Sequence, residues 1–336
     1  MYNRGGGLSG SMTVVVLGVD ALDPDLVDPV DHPHLCLERH ERIETIVSAA
    51  GEPSTHELWP TIITGLHPED HGLVLDDGVA WDNRMLNIGS DVAEYVLPDS
   101  VRTQIGAWLL NNTAEDAFRV PATYYAEQGI STVFDGVDSK VIGLPNYVVD
   151  PESEDREHQL RRNMGELFER DSDAKGGHTS ADVEAFYERC LEMMMIRIAR
   201  VRRALRSRQY ELVFGYTSGL DLVGHVSHDR PDVQARAYEE LDAFVGELVE
   251  DLEEDDVLLL VSDHGLQDGL HTHEAMIAST HPAVIADVSG VGDICEAIDA
   301  ELERTDHVGE GAWEERSQDA RPSQQVADQL EDLGYM

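Results

Sequence analysis

The chain contains very little lysine and few basic residues for its size. Lysine occurs only at Lys140 and Lys175 in 336 residues, and 24 lysines and arginines stand against 67 aspartates and glutamates, a formal net charge of −43. Nucleic acids and anionic membrane surfaces require a basic footprint on the protein that binds them. The composition therefore predicts no nucleic-acid-binding surface and no membrane association. It also indicates adaptation to high salt, where screening weakens self-repulsion.

Cysteine and long apolar runs are scarce as well. Cys36, Cys190 and Cys295 are scattered without metal-finger or redox spacing, which argues against a disulfide framework and favours a reducing compartment. No apolar run reaches the length of a membrane span. Residues 1–11 lack the apolar stretch of a signal peptide, so we expect a flexible leader there. These features predict a soluble cytoplasmic protein with a single domain over 12–336.

Short apolar runs alternate with amphipathic segments along the rest of the chain. The pattern predicts buried strands at 13–19, 210–216 and 256–261 and helices at 55–64, 180–207, 231–252 and 292–303. Alternation of this kind is typical of the α/β class with a mostly parallel sheet. The irregular stretch at about 76–175 is expected to contribute partly to the core and partly to an inserted cap that contacts the substrate.

Carboxylates and imidazoles follow each of the predicted strands. They are Asp20 after the first, Asp221 and His225 after the second, and Asp263, His264, His271 and His273 after the third. Taken singly, each has an ordinary explanation as a helix cap, a surface pair or a turn residue. Parallel strands, however, bring their carboxyl ends to one edge of the sheet, where active sites of this class lie. Six such ligands suffice for two Zn²⁺ or Mn²⁺ ions, which can clamp the oxygens of a phosphoryl transfer.

The segments that carry these residues resemble a known superfamily. They read VLGVD at 16–20, STHELWPTIITGLHPEDHG at 54–72, DLVGH at 221–225, SDHG at 262–265 and HT at 271–272. In this order they are similar to the alkaline phosphatase superfamily and, within it, to the type I phosphodiesterase/nucleotide pyrophosphatase family, from the first strand to about residue 275. The resemblance implies a three-layer α/β/α sandwich and metal-dependent hydrolysis of a small-molecule phosphate ester.

The resemblance also implies a role for individual residues. One of two divalent metal ions, with Zn²⁺ expected and Mn²⁺ the alternative, would be held by Asp20, Asp263, His264 and the hydroxyl of Thr55. The other would be held by Asp221, His225 and His271. Thr55 would be the catalytic nucleophile, forming a phospho-threonine intermediate that water then hydrolyses. Ser54 and Thr61 miss the spacing of the family's nucleophile. The HT dipeptide before a short apolar strand favours His271 as the last ligand, with His273 the alternative.

One position departs from the family pattern. Nucleotide pyrophosphatases of the family are expected to carry, three residues after the nucleophile, an Asn that helps to hold the phosphoryl group, and Leu58 stands there. Asn111 and Asn146 are possible substitutes without a spacing argument for either. Phosphate monoesters, other diesters and phosphonates therefore stay open as substrates.

Three alternative functions are disfavoured. A sulfatase requires its nucleophile in a C/S-x-P-x-R sequence, which Cys36 lacks, and the serine motif of a phosphomutase is absent. A non-catalytic metal-binding relative would be expected to have lost at least one ligand, whereas the ligand set is complete.

Overall fold

The computed structural model describes residues 12–49, 51–74, 120–150 and 177–304, with 156, 159–160, 164, 167–171 and 174–175 between them. All of these residues belong to one compact unit. The leader predicted at 1–11, Asn111 and the first part of the predicted cap lie outside the described residues. Among the helices that the structure describes, none combines the length and the apolar character needed to cross a lipid bilayer.

A six-stranded sheet forms the centre of the fold, in the order β2-β10-β7-β1-β6-β3. Its strands are β1 (Val14–Val19), β2 (Arg39–Glu44), β3 (Ser139–Ile142), β6 (Leu212–Thr217), β7 (Val257–Val261) and β10 (Glu274–Ser279). The pairs of β1 with β6, β1 with β7 and β3 with β6 are parallel, whereas β10 runs antiparallel to both β2 and β7. The prediction of a mostly parallel sheet is confirmed. Two short hairpins lie outside it, β4 (Glu169–Arg170) with β5 (His178–Thr179), and β8 (Gly265–Gln267) with β9 (Leu270–Thr272).

Helices cover both faces of the sheet, which gives the predicted three-layer α/β/α architecture. One face packs on α1 (Pro33–Cys36), α5 (Val183–Ser207), α6 (Gly219–Val226) and α7 (Pro231–Val249). The other packs on α2 (Thr55–Thr64), α4 (Thr123–Gln128) and α8 (Ile294–Arg304). A short helix, α3 (Pro68–His71), follows α2. Every side chain of β1 is buried, because alternate residues of a central strand enter opposite cores.

Some boundaries differ from the sequence-based expectations for local reasons. The long helix predicted at 180–207 begins only at Val183, because Asp182 is its N-cap and accepts a hydrogen bond from the Ala185 N–H at 3.0 Å. The short helix α3 was not among the predicted elements. Strand β2 was not predicted at all, since its sequence RHERIE buries only Ile43. Such a polar strand is acceptable at a sheet edge, where one side faces solvent.

We expect the fold to be stabilised by salt. With a formal net charge of −43, carboxylates repel one another over a screening distance of about 10 Å at 0.1 M salt but only about 3 Å at 1 M. The urea midpoint followed by circular dichroism should rise steeply between dilute buffer and molar NaCl. Sucrose at matched osmolality, which does not screen charge, is the control. An equal midpoint in dilute buffer and in molar salt would contradict the inference.

Candidate active site

The carboxyl ends of the parallel strands deliver the polar residues to one edge of the sheet. Asp20 follows β1, while Asp263 and His264 follow β7 directly. Asp221 and His225 lie one turn apart on α6, the helix that follows β6. His271 lies on β9, in the hairpin that returns from β7 toward β10. These side chains form two groups of three. Within each group, one candidate ligand atom from each side chain lies within 4.8 Å of the others. The first group is Asp20, Asp263 and His264, and the second is Asp221, His225 and His271.

The first group is completely enclosed. Asp20 is 2% exposed, and Asp263 and His264 are 0% exposed. His264 Nε2 lies 3.4 Å from both Asp20 Oδ1 and Asp263 Oδ2. The other ring nitrogen, Nδ1, is 3.1 Å from the carbonyl oxygen of Gly265, to which it donates in the neutral tautomer that leaves Nε2 as an acceptor. Burial lowers the pKa of His264 and so favours this neutral ring.

The second group is half-buried and lies beside the first. His225 Nε2 and His271 Nε2 are 3.1 Å apart, and Asp221 Oδ1 is 3.3 Å and 3.5 Å from them. Their Nδ1 atoms face the carbonyl oxygens of Gly269 and Pro53, each at 3.0 Å. Two neutral rings held in this way point their lone pairs at each other. The rings of His264 and His271 stack at a centroid distance of 4.0 Å, so the two groups are immediate neighbours.

Electrostatics in the second group favour a bound cation. Burial opposes ionisation of Asp221, but His225 and His271 outweigh it and hold the pKa of that carboxyl well below its usual range. Burial likewise lowers the pKa of His271, but the hydrogen bond and charge of Asp221 outweigh it and raise that pKa to about 9. Without a metal ion, protonation of the imidazole rings therefore stabilises the carboxylate of Asp221. A divalent cation would take the place of these protons, because metal binding to imidazole and carboxylate ligands releases protons in general.

The donor set and its unsatisfied atoms fit metal ions. Both carboxylate oxygens of Asp263 are buried and accept no hydrogen bond from the residues that the structure describes, and Oδ1 of Asp221 is buried beside the imidazole nitrogens of His225 and His271. Buried carboxylate oxygens in this state are costly unless a cation or a donor satisfies them. Carboxylate oxygens with imidazole nitrogens are a preferred ligand set of Zn²⁺ and also suit Mn²⁺. The residues of both groups are thus arranged as candidate ligands for divalent metals.

A hydroxyl group lies against the enclosed group. Thr55 is the first residue of α2, and its Oγ1 is 3.3 Å from Asp20 Oδ1 and 3.1 Å from His264 Nε2. Ser54 is the N-cap residue, and its side chain makes no capping hydrogen bond. The N-terminal end of α2, the positive end of the helix dipole, offers an anion-binding position next to the Thr55 hydroxyl.

The structure separates Thr55 and His271 from the alternatives considered for their roles. Thr61 Oγ1 is enclosed within α2 and donates to the Glu57 carbonyl at 3.2 Å. His273 is exposed and belongs to neither ligand group. Leu58 is 0% exposed in the core beneath α2, so a side chain there does not face the site. The departure at position 58 therefore carries no information about the substrate.

Tyr216, near the end of β6, is a site residue that the sequence analysis missed. Its phenolic hydroxyl donates to Asp20 Oδ2 at 2.5 Å, which leaves Asp20 Oδ1 facing Thr55 and His264. The ring is held edge-on against Trp59 at a centroid distance of 5.0 Å. Outer hydrogen bonds of this kind orient metal ligands. The only sequence signal for it is its position near the end of β6, where its register partner on β1 is Gly18, two residues before Asp20.

We predict that Tyr216→Phe weakens metal binding by the enclosed group about 10- to 100-fold, the usual effect of losing an outer hydrogen bond to a ligand. The measurement is metal affinity by competition with a chromogenic chelator. Tyr187→Phe removes a hydroxyl from another buried tyrosine, one that lies on α5, and serves as the control. Equal affinities for Tyr216→Phe and the unmodified protein would show that Asp20 does not need this hydrogen bond.

The β8–β9 hairpin is attached to the loop after β1 through the buried carboxylate of Asp23. Asp23 accepts hydrogen bonds from Gln267 Nε2 at 3.1 Å and Thr272 Oγ1 at 3.2 Å. A Cβ at Gly265 would lie only 2.4 Å from an oxygen of Asp23, which explains the glycine of SDHG. Because His264 precedes this hairpin and His271 lies on it, Asp23 fixes both histidines relative to Asp20.

Carboxylate and imidazole groups beside a hydroxyl at a helix N-terminus, all at the carboxyl edge of an α/β sheet, define the class of the protein as a phosphoric ester hydrolase. The chain belongs to the type I phosphodiesterase/nucleotide pyrophosphatase family, whose model matches residues 14–285. This confirms the resemblance inferred from the motifs. Comparison with the curated proteins gives no match.

Several solved structures are similar to this one at low sequence identity. The PH0037 protein from Pyrococcus horikoshii is 12% identical, with 89% of this chain and 99% of that chain covered and a TM-score of 0.43. Alkaline phosphatase from the Antarctic bacterium TAB5 is 12% identical, with 88% and 99% covered and a TM-score of 0.45. Murine ectonucleotide pyrophosphatase/phosphodiesterase 5 is 18% identical, with 76% and 57% covered and a TM-score of 0.40.

Proposed function

We propose that the protein hydrolyses a phosphate ester in two steps through a phospho-threonine at Thr55, with one divalent ion held by each ligand group. The observation that carries this proposal is the position of Thr55 Oγ1, 3.3 Å from Asp20 and 3.1 Å from His264 at the start of α2. Zn²⁺ is the ion we propose, because tetrahedral carboxylate and imidazole sites favour it.

The residues of the chain have separate tasks in this reaction. Bound divalent ions would lower the pKa of the threonine hydroxyl and neutralise charge on the phosphoryl oxygens. Thr55 Oγ1 loses its proton to water and bonds to phosphorus, while the bond to the leaving oxygen breaks and that oxygen takes a proton from water. The N-terminal end of α2 stabilises the negative charge on the phosphoryl oxygens. Water then bonds to phosphorus, and Thr55 Oγ1 leaves and is reprotonated.

The substrate is proposed as a diester of small size, in keeping with the family. Asn146, a candidate for holding the phosphoryl group, is 1% exposed and donates its amide to the His56 carbonyl at 2.8 Å. It is thus engaged with the protein and not with a ligand. A phosphomonoester or a phosphonate is the alternative at the same site.

Hydrolysis of bis-p-nitrophenyl phosphate against p-nitrophenyl phosphate, in molar salt, tests the proposal. Metal content is measured on the same sample. Faster diester turnover with about two metal ions per chain supports a phosphodiesterase. Faster monoester turnover assigns the site to a phosphomonoesterase. Turnover of neither ester by fully metal-loaded protein, with a phosphonate ester also inert, would contradict the catalytic proposal and favour a metal-binding relative.

We also propose that the enzyme works in a reducing, cytoplasmic compartment. Cys36, Cys190 and Cys295 form no disulfide bond with one another, and the first two are buried. Cysteines that stay reduced are typical of proteins in a reducing compartment. Localisation of a tagged full-length chain by fractionation of the native cells tests this point, and recovery outside the cytoplasm would contradict it.

A further inference from the structure

Pro60 interrupts the backbone hydrogen bonds of the helix that carries Thr55. Proline has no N–H, so the carbonyl of the residue four positions earlier, His56, loses its usual helical donor. His56 follows Thr55 directly, and Leu58 and Pro60 are buried on the same helix. A helix carbonyl without its N–H donor next to a protein core is unfavourable. The first turn of α2 therefore needs a donor from elsewhere.

Asn146 supplies that donor from a distant part of the chain. Its Nδ2 donates to the His56 carbonyl at 2.8 Å, and the side chain is almost completely buried. Its backbone has a φ of 54°, in the left-handed region that asparagine tolerates better than most residues. The Tyr125 hydroxyl donates to the Asn146 carbonyl at 2.8 Å and so fixes this backbone.

The side-chain oxygen of Asn146 indicates which half of the amide group is important for the structure. Asn146 Oδ1 is buried and accepts no hydrogen bond from the residues that the structure describes. Burying an amide oxygen without a hydrogen-bond donor is unfavourable. Its donor side is therefore the part that the fold uses, and it donates to the carbonyl of His56, to which Pro60 offers no helical N–H.

A second side chain supports the same turn. His71 Nε2 lies 3.1 Å from the Glu57 carbonyl, and the Leu73 N–H donates to His71 Nδ1 at 3.2 Å. Burial lowers the pKa of His71 to about 4, so the ring is neutral and has one donor and one acceptor. The two carbonyls that follow Thr55 are thus both bonded from outside the helix.

We propose that Asn146 is a positioning residue for Thr55, which replaces the helical donor that Pro60 lacks and fixes the first turn of α2. The proposal rests on the proposed function, because it takes Thr55 as the nucleophile. The turn sets the direction of Thr55 Oγ1 toward Asp20 and His264. A displacement of about 1 Å in a reacting group can lower the rate about 10²-fold.

The test is a double-mutant cycle of Asn146→Ala and Pro60→Ala. Asn146→Ala should lower kcat about 10- to 100-fold with little change in KM, because the nucleophile loses its position and the substrate contacts are unchanged. Pro60→Ala restores a backbone N–H opposite the His56 carbonyl, and we expect it alone to change kcat only a few-fold. In the Pro60→Ala background, Asn146→Ala should lose little further activity. Metal content and thermal unfolding are measured for all four proteins.

The outcomes separate the possible explanations. An unchanged kcat in Asn146→Ala, or an equal loss in both backgrounds, would overturn the proposal. If Asn146→Ala alone does not fold, a folded and active double variant still supports it, and an unfolded or inactive double variant contradicts it. A failure of the proposed function would appear differently, as ester hydrolysis that persists in Thr55→Ala.

Discussion

Thr55→Ala should abolish ester hydrolysis, with a loss of kcat of about a thousandfold or more, as expected when a nucleophile is removed. The hydroxyl is the only part of this side chain that lies against Asp20 and His264. The six carboxylate and imidazole ligands stay in place, so metal content should fall little. Single-turnover kinetics with a chromogenic diester, and mass spectrometry of the quenched wild-type protein for a phosphate on Thr55, measure the effect.

Two variants on the same helix control this experiment. Thr55→Ser keeps a hydroxyl at the position and should retain measurable turnover. Thr64→Ala removes a threonine hydroxyl at the opposite end of α2, where Thr64 Oγ1 donates to the Pro60 carbonyl at 2.7 Å. It should keep most of the activity. Full activity of Thr55→Ala in metal-loaded protein would exclude the phospho-threonine route.

Asp263→Asn should have opposite effects on the stability of the metal-free and the metal-loaded protein. Without metal, Asp263 is a completely buried carboxylate with two unsatisfied oxygens, close to Asp20. An asparagine removes this charge and offers a donor to Asp20, so the metal-free variant should be more stable by on the order of 2 kcal/mol. With metal, the wild type gains about 2.7 kcal/mol at a free metal concentration 100 times the dissociation constant. The variant should lose the stabilisation by metal at the enclosed group, and it should also lose ester hydrolysis.

Asp242→Asn is the matched control for a buried aspartate. The Asp242 carboxylate accepts hydrogen bonds from the backbone N–H groups of His34 and Leu35 at 2.8 Å and 2.9 Å. Its replacement should destabilise the metal-free and metal-loaded protein alike. Thermal unfolding with and without chelator distinguishes the two variants. A metal-free Asp263→Asn that unfolds as early as Asp242→Asn would argue that Asp263 is an ordinary structural carboxylate.

The sheet and the edge that carries the candidate ligands could be predicted because each prediction depends on residues that are close together in sequence. β1 and β7 are continuous apolar runs, and Asp20 and Asp263 follow them in sequence. The rule that parallel strands end at one edge then places these residues together without any knowledge of side-chain packing. The grouping into two sets of ligands came from the family resemblance, and the distances in the structure group the same six residues in the same way.

The supporting residues could not be predicted because their partners are far away in the chain. Tyr216 bonds to Asp20 across 196 residues, and Asn146 bonds to His56 across 90 residues. Neither bond leaves a periodic or spacing signal. Pro60 removes one backbone donor from α2, but the sequence does not say which side chain compensates for it. The polar strand β2 was missed because only Ile43 enters a core.

A metal titration of chelated protein, with diester or monoester hydrolysis followed at each step, tests whether catalysis at Thr55 depends on metal ions in the two ligand groups. We predict no hydrolysis in the metal-free protein and activity that returns with added Zn²⁺ or Mn²⁺ and reaches its maximum at about two equivalents per chain. Thr55→Ala should bind the same amount of metal without regaining activity. Undiminished hydrolysis by protein shown to be free of metal would exclude a metal-dependent reaction at this site.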